Sequence, residues 1–170
     1  MSWGFSRLHF AVALASLVIP AGVSAAQTQT VGAQVALLSP LSVLKQGDLD
    51  FGTIIVSAAG TAVVDPVSGS LTTTGGATKS GTAAHPALFT GTGSKNSVVH
   101  IRIPTTPITV TRVGGTQTMT VSNWTLDGDP NRKIPPGSVF NFQVGATLNV
   151  NANQVAGTYN GTFNVTVQYP

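Results

Sequence analysis

Side chains able to perform acid–base or nucleophilic chemistry are scarce in this chain. Its 170 residues include five acidic side chains, no cysteine and three histidines, of which His85 and His100 lie beyond the first 26 residues. All five acidic residues are aspartates, so paired-carboxylate catalysis is poorly supplied. No phosphate-binding loop or nucleophile elbow is present. We therefore expect no catalytic residue, no cofactor and no enzymatic activity, although composition alone leaves a Ser-His-Asp triad open.

One short segment places oxygen-bearing side chains at alternate positions, which is a spacing that suits calcium. These residues are Asp127, Asp129 and Asn131. Arg132 and Lys133 follow at once, and their positive charges oppose a bound cation. We expect a turn here and no metal ligands, while cation binding near Asp127 and Asp129 stays open.

The start of the chain has the pattern of a secretory signal peptide. Arg7 precedes an apolar run from 10 to 19, and small residues follow at 23–26. The pattern predicts removal of residues 1–26 and export, without membrane insertion afterwards, because no later apolar run is long enough to span a bilayer. The net charge of +3 is too small to suggest a nucleic-acid partner. Because cysteine is absent, an exported fold must be held by burial and sheet hydrogen bonds.

The elements that must position any site are β-strands. Strand-like segments alternate with Gly, Pro, Asn and Asp turns, and helical periodicity is absent. This pattern predicts an all-β, immunoglobulin-like antiparallel β-sandwich, either complete or left incomplete, over residues 38–170. Residues 27–37 are either an N-terminal extension or the first strand. Residues 65–84 are rich in Gly, Ser and Thr, which predicts a long loop or flexible flap. The expected strands include 49–56, 87–90, 98–103, 108–113, 118–126 and 139–150. We expect the second and third to form one hairpin, the fourth and fifth to form another around Gly114 and Gly115, and residues 57–64 to form a short hairpin.

The clearest alternation lies at the C-terminus. Even positions are polar there, and odd positions carry one mostly apolar set: Gly157, Tyr159, Gly161, Phe163, Val165, Val167 and Tyr169. Alternate strand residues face opposite sides, so we expect one long strand of roughly 43 Å with a single apolar face. A second alternation, suited to filling pockets in a neighbour, comprises Val31, Ala33, Val35 and Leu37.

The C-terminal pattern resembles the terminal strand of chaperone–usher pilus subunits. Gly157 is fourteenth from the end and Tyr169 is penultimate. The resemblance implies an incomplete sandwich with the terminal strand at its edge. A periplasmic chaperone would pair with this strand and bring the subunit to an usher, and the N-terminal extension of a neighbouring subunit would later complete the sandwich. The wider sequence also resembles a bacterial family of small secreted domains of unknown function. The residues that carry this second likeness are 49–54, 144–150 and 157–169.

These observations favour a structural subunit of a fimbria or related bacterial surface assembly, exported through the periplasm to the cell surface. Its partners would be identical or related subunits joined by donated strands. The alternative is a self-contained secreted module that binds carbohydrate through Trp124, which we otherwise expect to fill the core. The sequence indicates neither a receptor nor a shaft or tip position, and it leaves open whether residues 27–37 are donated or kept.

Overall fold

The computed structural model describes residues 29–81 and 83–170, so the expected signal peptide and residues 27 and 28 lie outside the described residues. The described part of the chain forms eleven β-strands and holds no helix that would qualify, by length and hydrophobicity, as a membrane span. The strands are β1 (Ser42–Gly47), β2 (Thr53–Val64), β3 (Leu71–Ser80), β4 (Ala87–Thr92), β5 (Val98–Arg102), β6 (Ile108–Arg112), β7 (Thr118–Leu126), β8 (Asn131–Lys133), β9 (Val139–Val150), β10 (Tyr159–Asn160) and β11 (Thr166–Gln168).

The larger sheet is built around β9. One edge of β9 pairs with β4 over its first half and with β2 over its second half, while the opposite edge pairs with β7. The strand order is β1-β4-β9-β7-β6-β10, and β3 extends the sheet beyond β2. All of these pairings are antiparallel. Strand β9 has the bounds that the sequence predicts, because its apolar residues alternate over its whole length.

A smaller sheet, ordered β11-β5-β8, supplies the second layer of a sandwich. Val99 and Ile101 of β5 pack with Phe140 and Phe142 of β9 in the first core cluster. Phe142 also stacks on Phe89 of β4, with ring centroids 4.9 Å apart. Burial of these alternating faces confirms the predicted fold class, an all-β antiparallel sandwich.

The second core cluster lies on the inner face of the larger sheet, away from β5. Its buried members come from β2, β7 and β9, and they include Met119, Val121, Leu148 and Val150. Side chains that are only partly buried pack against it, among them Phe51, Ile54, Val110 and Tyr159.

The prediction of one long loop or flexible flap at 65–84 is wrong, since β3 (Leu71–Ser80) fills half of that range and pairs with β2. The hairpin expected around Ala59 and Gly60 is likewise wrong, because β2 runs through these residues and only its register shifts there. Glycines make this pairing possible: a Cβ at Gly76 would lie 2.2 Å from the Ala58 nitrogen. A composition typical of loops therefore serves close backbone packing.

Two further hairpin predictions have opposite outcomes. Strands β6 and β7 pair as expected, with Gly114 at a φ of 71° in the turn. Strands β4 and β5 exist close to the predicted positions, but they lie in different sheets and do not form a hairpin.

Residues 29–41 form no strand, and the side chains from 29 to 40 are exposed. Among the alternating apolar residues, Val31, Val35 and Leu37 are 87%, 84% and 89% exposed, and Ala33 is exposed as well. We refer to residues 29–37 as the N-terminal segment.

Candidate functional site: an open apolar groove

Residues 157–169, the C-terminal segment, connect the two sheets along one side of the sandwich. Tyr159 and Asn160 pair with β6 of the larger sheet, and residues 166–168 pair with β5 of the smaller one. The prediction of one continuous strand is therefore wrong. The segment changes its partner strand between Asn160 and Thr166. Residues 161–165 belong to no strand, although the side chains from Thr162 to Val165 alternate between exposed and half-buried.

The predicted alternation of the C-terminal segment is present in its burial. Tyr159, Phe163, Val165, Val167 and Tyr169 are half-buried, and the even positions between them are exposed. Tyr159 packs against the second core cluster, whereas the other four pack against the first. The segment therefore covers the edge of both clusters with one apolar face.

The two glycines of this segment sit where side chains would collide. Gly157 has a φ of 152°, and a Cβ there would lie 2.6 Å from Nε of Arg112. The same Arg112 nitrogen donates a hydrogen bond of 2.9 Å to the Ala156 carbonyl. A Cβ at Gly161 would lie 2.7 Å from Val110. Arg112 and Val110 of β6 thus hold the start of the segment close to the sheet, and no local sequence pattern indicates this role.

The far end of the segment is fixed by the hydroxyl of Tyr169. This hydroxyl donates to the Ser39 carbonyl at 3.0 Å and accepts a hydrogen bond from the Ser94 N–H at 2.7 Å. The chain therefore enters the sandwich beside Tyr169, ten residues along the segment from Tyr159.

A groove of about 1390 Å³ opens between two rims on the inner side of the larger sheet. One rim is formed by residues 48–56 and the other by residues 154–163. The floor is the second core cluster and its neighbours in β6, and it includes Val110, Met119 and Val121. Part of the apolar core is therefore reachable from solvent.

Both rims carry a backbone edge that no described strand pairs. Residues 54–56 of β2 pair with β3 on one side, but pairing of β2 with β9 covers only Gly60 to Val64. On the opposite rim, β10 pairs with β6 and with no other strand in the described part of the chain. An apolar floor between two unpaired backbone edges is the geometry that an added strand can fill.

Charged groups are confined to one end of the first rim. Asp50 and His85 exchange two backbone hydrogen bonds of 2.9 Å, and their side chains lie 4.0 Å apart at Oδ2 and Nε2. Lys45 binds Asp48 at 2.6 Å. The 4.0 Å between the Asp50 and His85 side chains exceeds hydrogen-bond distance. The other described histidine, His100, forms a hydrogen bond of 2.8 Å with the amide oxygen of Asn131. Neither described histidine is thus arranged as the base of a triad.

The Asp127–Asn131 segment forms a turn, and the guanidinium of an arginine lies beside the Asp127 carboxylate. Arg132 pairs with the Asp127 side chain, and both groups are more than four-fifths buried. Asp129 accepts a 2.7 Å hydrogen bond from the Asn131 N–H. Within residues 29–81 and 83–170, no cluster of three potential metal ligands occurs.

Trp124 is packed between the two core clusters. Its ring centroid lies 4.6 Å from that of Phe163, and its indole N–H donates to the Thr106 carbonyl at 3.2 Å. It also borders a smaller surface pocket of about 410 Å³ with Pro104 and Pro107.

One carboxyl group has a clearly shifted pKa, and it lies in the β2–β3 turn outside the groove. The Ser68 N–H, the Ser68 hydroxyl and the Val67 N–H all bond to Asp65 and hold its pKa below the usual value. These bonds favour the charged carboxylate, so Asp65 stabilises the turn.

Comparison with protein-family models gives one match. The matching family is described as "Domain of unknown function (DUF4402)", and the match covers residues 41–169. Comparisons with curated proteins and with solved structures found no match. The matched range begins next to the first strand and excludes the exposed N-terminal segment.

Proposed function

The chain belongs to the DUF4402 family of domains of unknown function, and we propose that it acts as a structural subunit of a fimbria or related bacterial surface assembly. In this proposal, the N-terminal segment of one subunit fills the groove of the next. The observation that carries the proposal is the groove itself, an apolar floor lying between two backbone edges without strand partners.

The N-terminal segment has the chemistry of the missing strand. Val31, Ala33, Val35 and Leu37 occupy every second position, so in an extended chain they would point to one side about 6.6 Å apart. Their partners in that conformation would be the apolar floor residues. The backbone of the segment would pair with one or both rims, supplying main-chain hydrogen bonds.

The exposure of the N-terminal segment favours donation to a second copy. Val31, Val35 and Leu37 are 87%, 84% and 89% exposed, and residues 29–41 belong to no strand. These apolar side chains are therefore accessible to a neighbouring subunit.

The partners and route follow from the same proposal and from the resemblance to pilus subunits. The free edge of the C-terminal segment would be paired by a periplasmic chaperone, and an usher would deliver the subunit to the cell surface. Exposed apolar floor and unpaired edges favour aggregation, so protection during export has a physical reason.

The alternative, a self-contained carbohydrate-binding module centred on Trp124, has weaker support. Its indole ring contacts Phe163 and its N–H is already bonded within the protein. These contacts are those of a core residue.

The assembly proposal is tested by a charge placed on each face of the N-terminal segment. Val35→Asp would put a carboxylate into the apolar groove, whereas Gln34→Asp places the same charge on the polar side of the same segment. We expect wild type and Gln34→Asp to give filaments or a ladder of multimers by light scattering and electron microscopy. Val35→Asp should remain monomeric. Equal assembly of both variants, or a wild-type protein that is monomeric at all concentrations, would contradict the proposal.

A further inference from the structure

The outer face of the larger sheet, opposite the groove, carries hydroxyl and amide side chains in register across five strands. The pairing aligns one row from β6 through β7, β9 and β2 to β3. This row consists of Thr109, Thr120, Asn149, Thr61 and Thr74. The sequence neighbours of Thr109, Thr120 and Asn149 belong to the second core cluster or pack against it on the inner face, as does Ala62 beside Thr61. The row, with Thr74 paired to Thr61, therefore lies on the outer face, where Thr109, Thr120 and Thr74 are exposed and Asn149 and Thr61 are half-buried.

Neighbouring rows repeat this chemistry. Ser122, Thr147 and Thr72 lie in the next row, with Val63 as its one apolar member. In this row Thr72 is exposed and Ser122 is half-buried, whereas Thr147 is buried and not available to a ligand. On the other side, Thr111 pairs with Thr118 and with a residue of β10, Asn160. None of the described residues in these three rows is charged or aromatic. We name this surface the hydroxyl face.

The hydroxyl face is fixed by its own contacts. The hydroxyls of Thr61 and Thr74 bond to each other at 2.6 Å, and the Asn149 amide donates to the Ser122 hydroxyl at 2.8 Å. Threonine is stiff at χ1, so its hydroxyl needs little further ordering. Strand spacing puts the groups about 4.8 Å apart across the sheet and about 6.6 Å apart along it, so one row spans roughly 19 Å.

The composition of the face restricts its ligand. Without positive charge it cannot attract nucleic acid or anionic lipid. It lacks the aromatic, Met and Arg side chains that dominate protein interfaces. What it offers is an ordered array of uncharged donors and acceptors. We infer that the hydroxyl face binds a neutral polysaccharide, whose repeated hydroxyls complement that array.

Each hydrogen bond to such a ligand contributes little net free energy, so one subunit would bind weakly. Many copies presented together would bind strongly to a polymeric ligand. The inference does not depend on donated strands, because it concerns the opposite face, and the test supplies multivalency artificially.

The test uses protein from expression of the full chain, coupled to beads and mixed with particles of cellulose, chitin or anionic alginate gel. We expect wild type to bind at least one of the two neutral polymers and not alginate, with little dependence on salt. Thr109→Val with Thr120→Val preserves side-chain shape and removes two hydroxyls. At about one ordinary hydrogen bond each, this should weaken binding by each subunit roughly thirtyfold, and binding of the multivalent beads by at least as much.

A control variant, Thr166→Val, removes an exposed strand hydroxyl from the smaller sheet and should bind like wild type. Three results would overturn the inference: no binding to either neutral polymer, equal binding by the double variant, or binding abolished by salt. Self-association of free wild-type protein that the double variant lacks would also overturn it, because the face would then contact a second copy. Circular dichroism of each variant confirms that a loss of binding does not reflect unfolding.

Discussion

Replacing Phe163 by alanine should detach the centre of the C-terminal segment from the sandwich. Phe163 packs against the first core cluster, lies at a rim of the groove and contacts Trp124. A fully buried Phe→Ala change costs about 3–5 kcal/mol, so a half-buried ring should cost about 2 kcal/mol. Loss of the aromatic pair adds about 0.5–1.5 kcal/mol. We therefore expect unfolding free energy to fall by about 3 kcal/mol.

The assay is urea unfolding of the monomeric fraction, monitored by circular dichroism and by tryptophan fluorescence. Trp124 is the only tryptophan that remains if residues 1–26 are removed, so fluorescence reports the neighbourhood of Phe163. Thermal unfolding should show a midpoint lower by about 6–12 °C, at about 2–4 °C per kcal/mol.

Thr162→Ala is the matched control, because Thr162 is adjacent in sequence and exposed. It should change stability by less than about 0.5 kcal/mol. If Phe163→Ala were as stable as Thr162→Ala, the C-terminal segment would not be docked as described, and the assignment of a groove rim to it would be wrong.

Three further predictions concern the contacts that hold the sandwich. Asp65→Ala should lower the unfolding midpoint at pH 7. Because the folded-state pKa of Asp65 is depressed by hydrogen bonds from Ser68 and Val67, its contribution is present above the unfolded value of about 3.9 and is lost as pH falls through the folded value, so the difference between the two midpoints should shrink as pH falls below about 3.9 in thermal scans. Tyr169→Phe removes the hydroxyl between Ser39 and Ser94 and should cost about 1–2 kcal/mol in urea unfolding, whereas an unchanged midpoint would show that this link is dispensable. Gly145→Ala places a Cβ 2.2 Å from the Val64 carbonyl oxygen, so soluble yield and melting temperature should both drop; a wild-type melting curve would refute this contact.

Sequence patterning predicted the strands whose side chains alternate and missed those made from small polar residues. Strand β9 was predictable because Phe140, Phe142 and Val144 repeat every second residue between turn signals. Strand β3 was not, because its Thr and Gly residues are also typical of loops. Its stability depends on close approach to β2, which a local pattern does not report.

The candidate site shows a similar division. Alternation placed Tyr159, Phe163 and Val167 on one face, and the structure agrees. The segment's change of sheet was not predictable, because a side-chain pattern does not specify which strand supplies the backbone partner. The groove arises because β2 runs past the end of its pairing with β9, a consequence of register.

Strand donation between subunits can be tested directly with engineered cysteines, since the chain has none of its own. One protein carries a cysteine at a position from 31 to 37 in the N-terminal segment. Its partner carries Val110→Cys on the groove floor or, as control, Thr109→Cys on the opposite face of the same strand. Each pair is mixed under mild oxidation, and disulfide-linked heterodimers are counted on non-reducing gels.

The account predicts that Val110→Cys cross-links to the odd positions Val31, Ala33, Val35 or Leu37 and not to the even positions between them, while Thr109→Cys cross-links to neither set. Such alternation arises only if the segment lies extended in the groove of another copy. Equal cross-linking of odd and even positions, or of Val110→Cys and Thr109→Cys, would contradict donated-strand assembly.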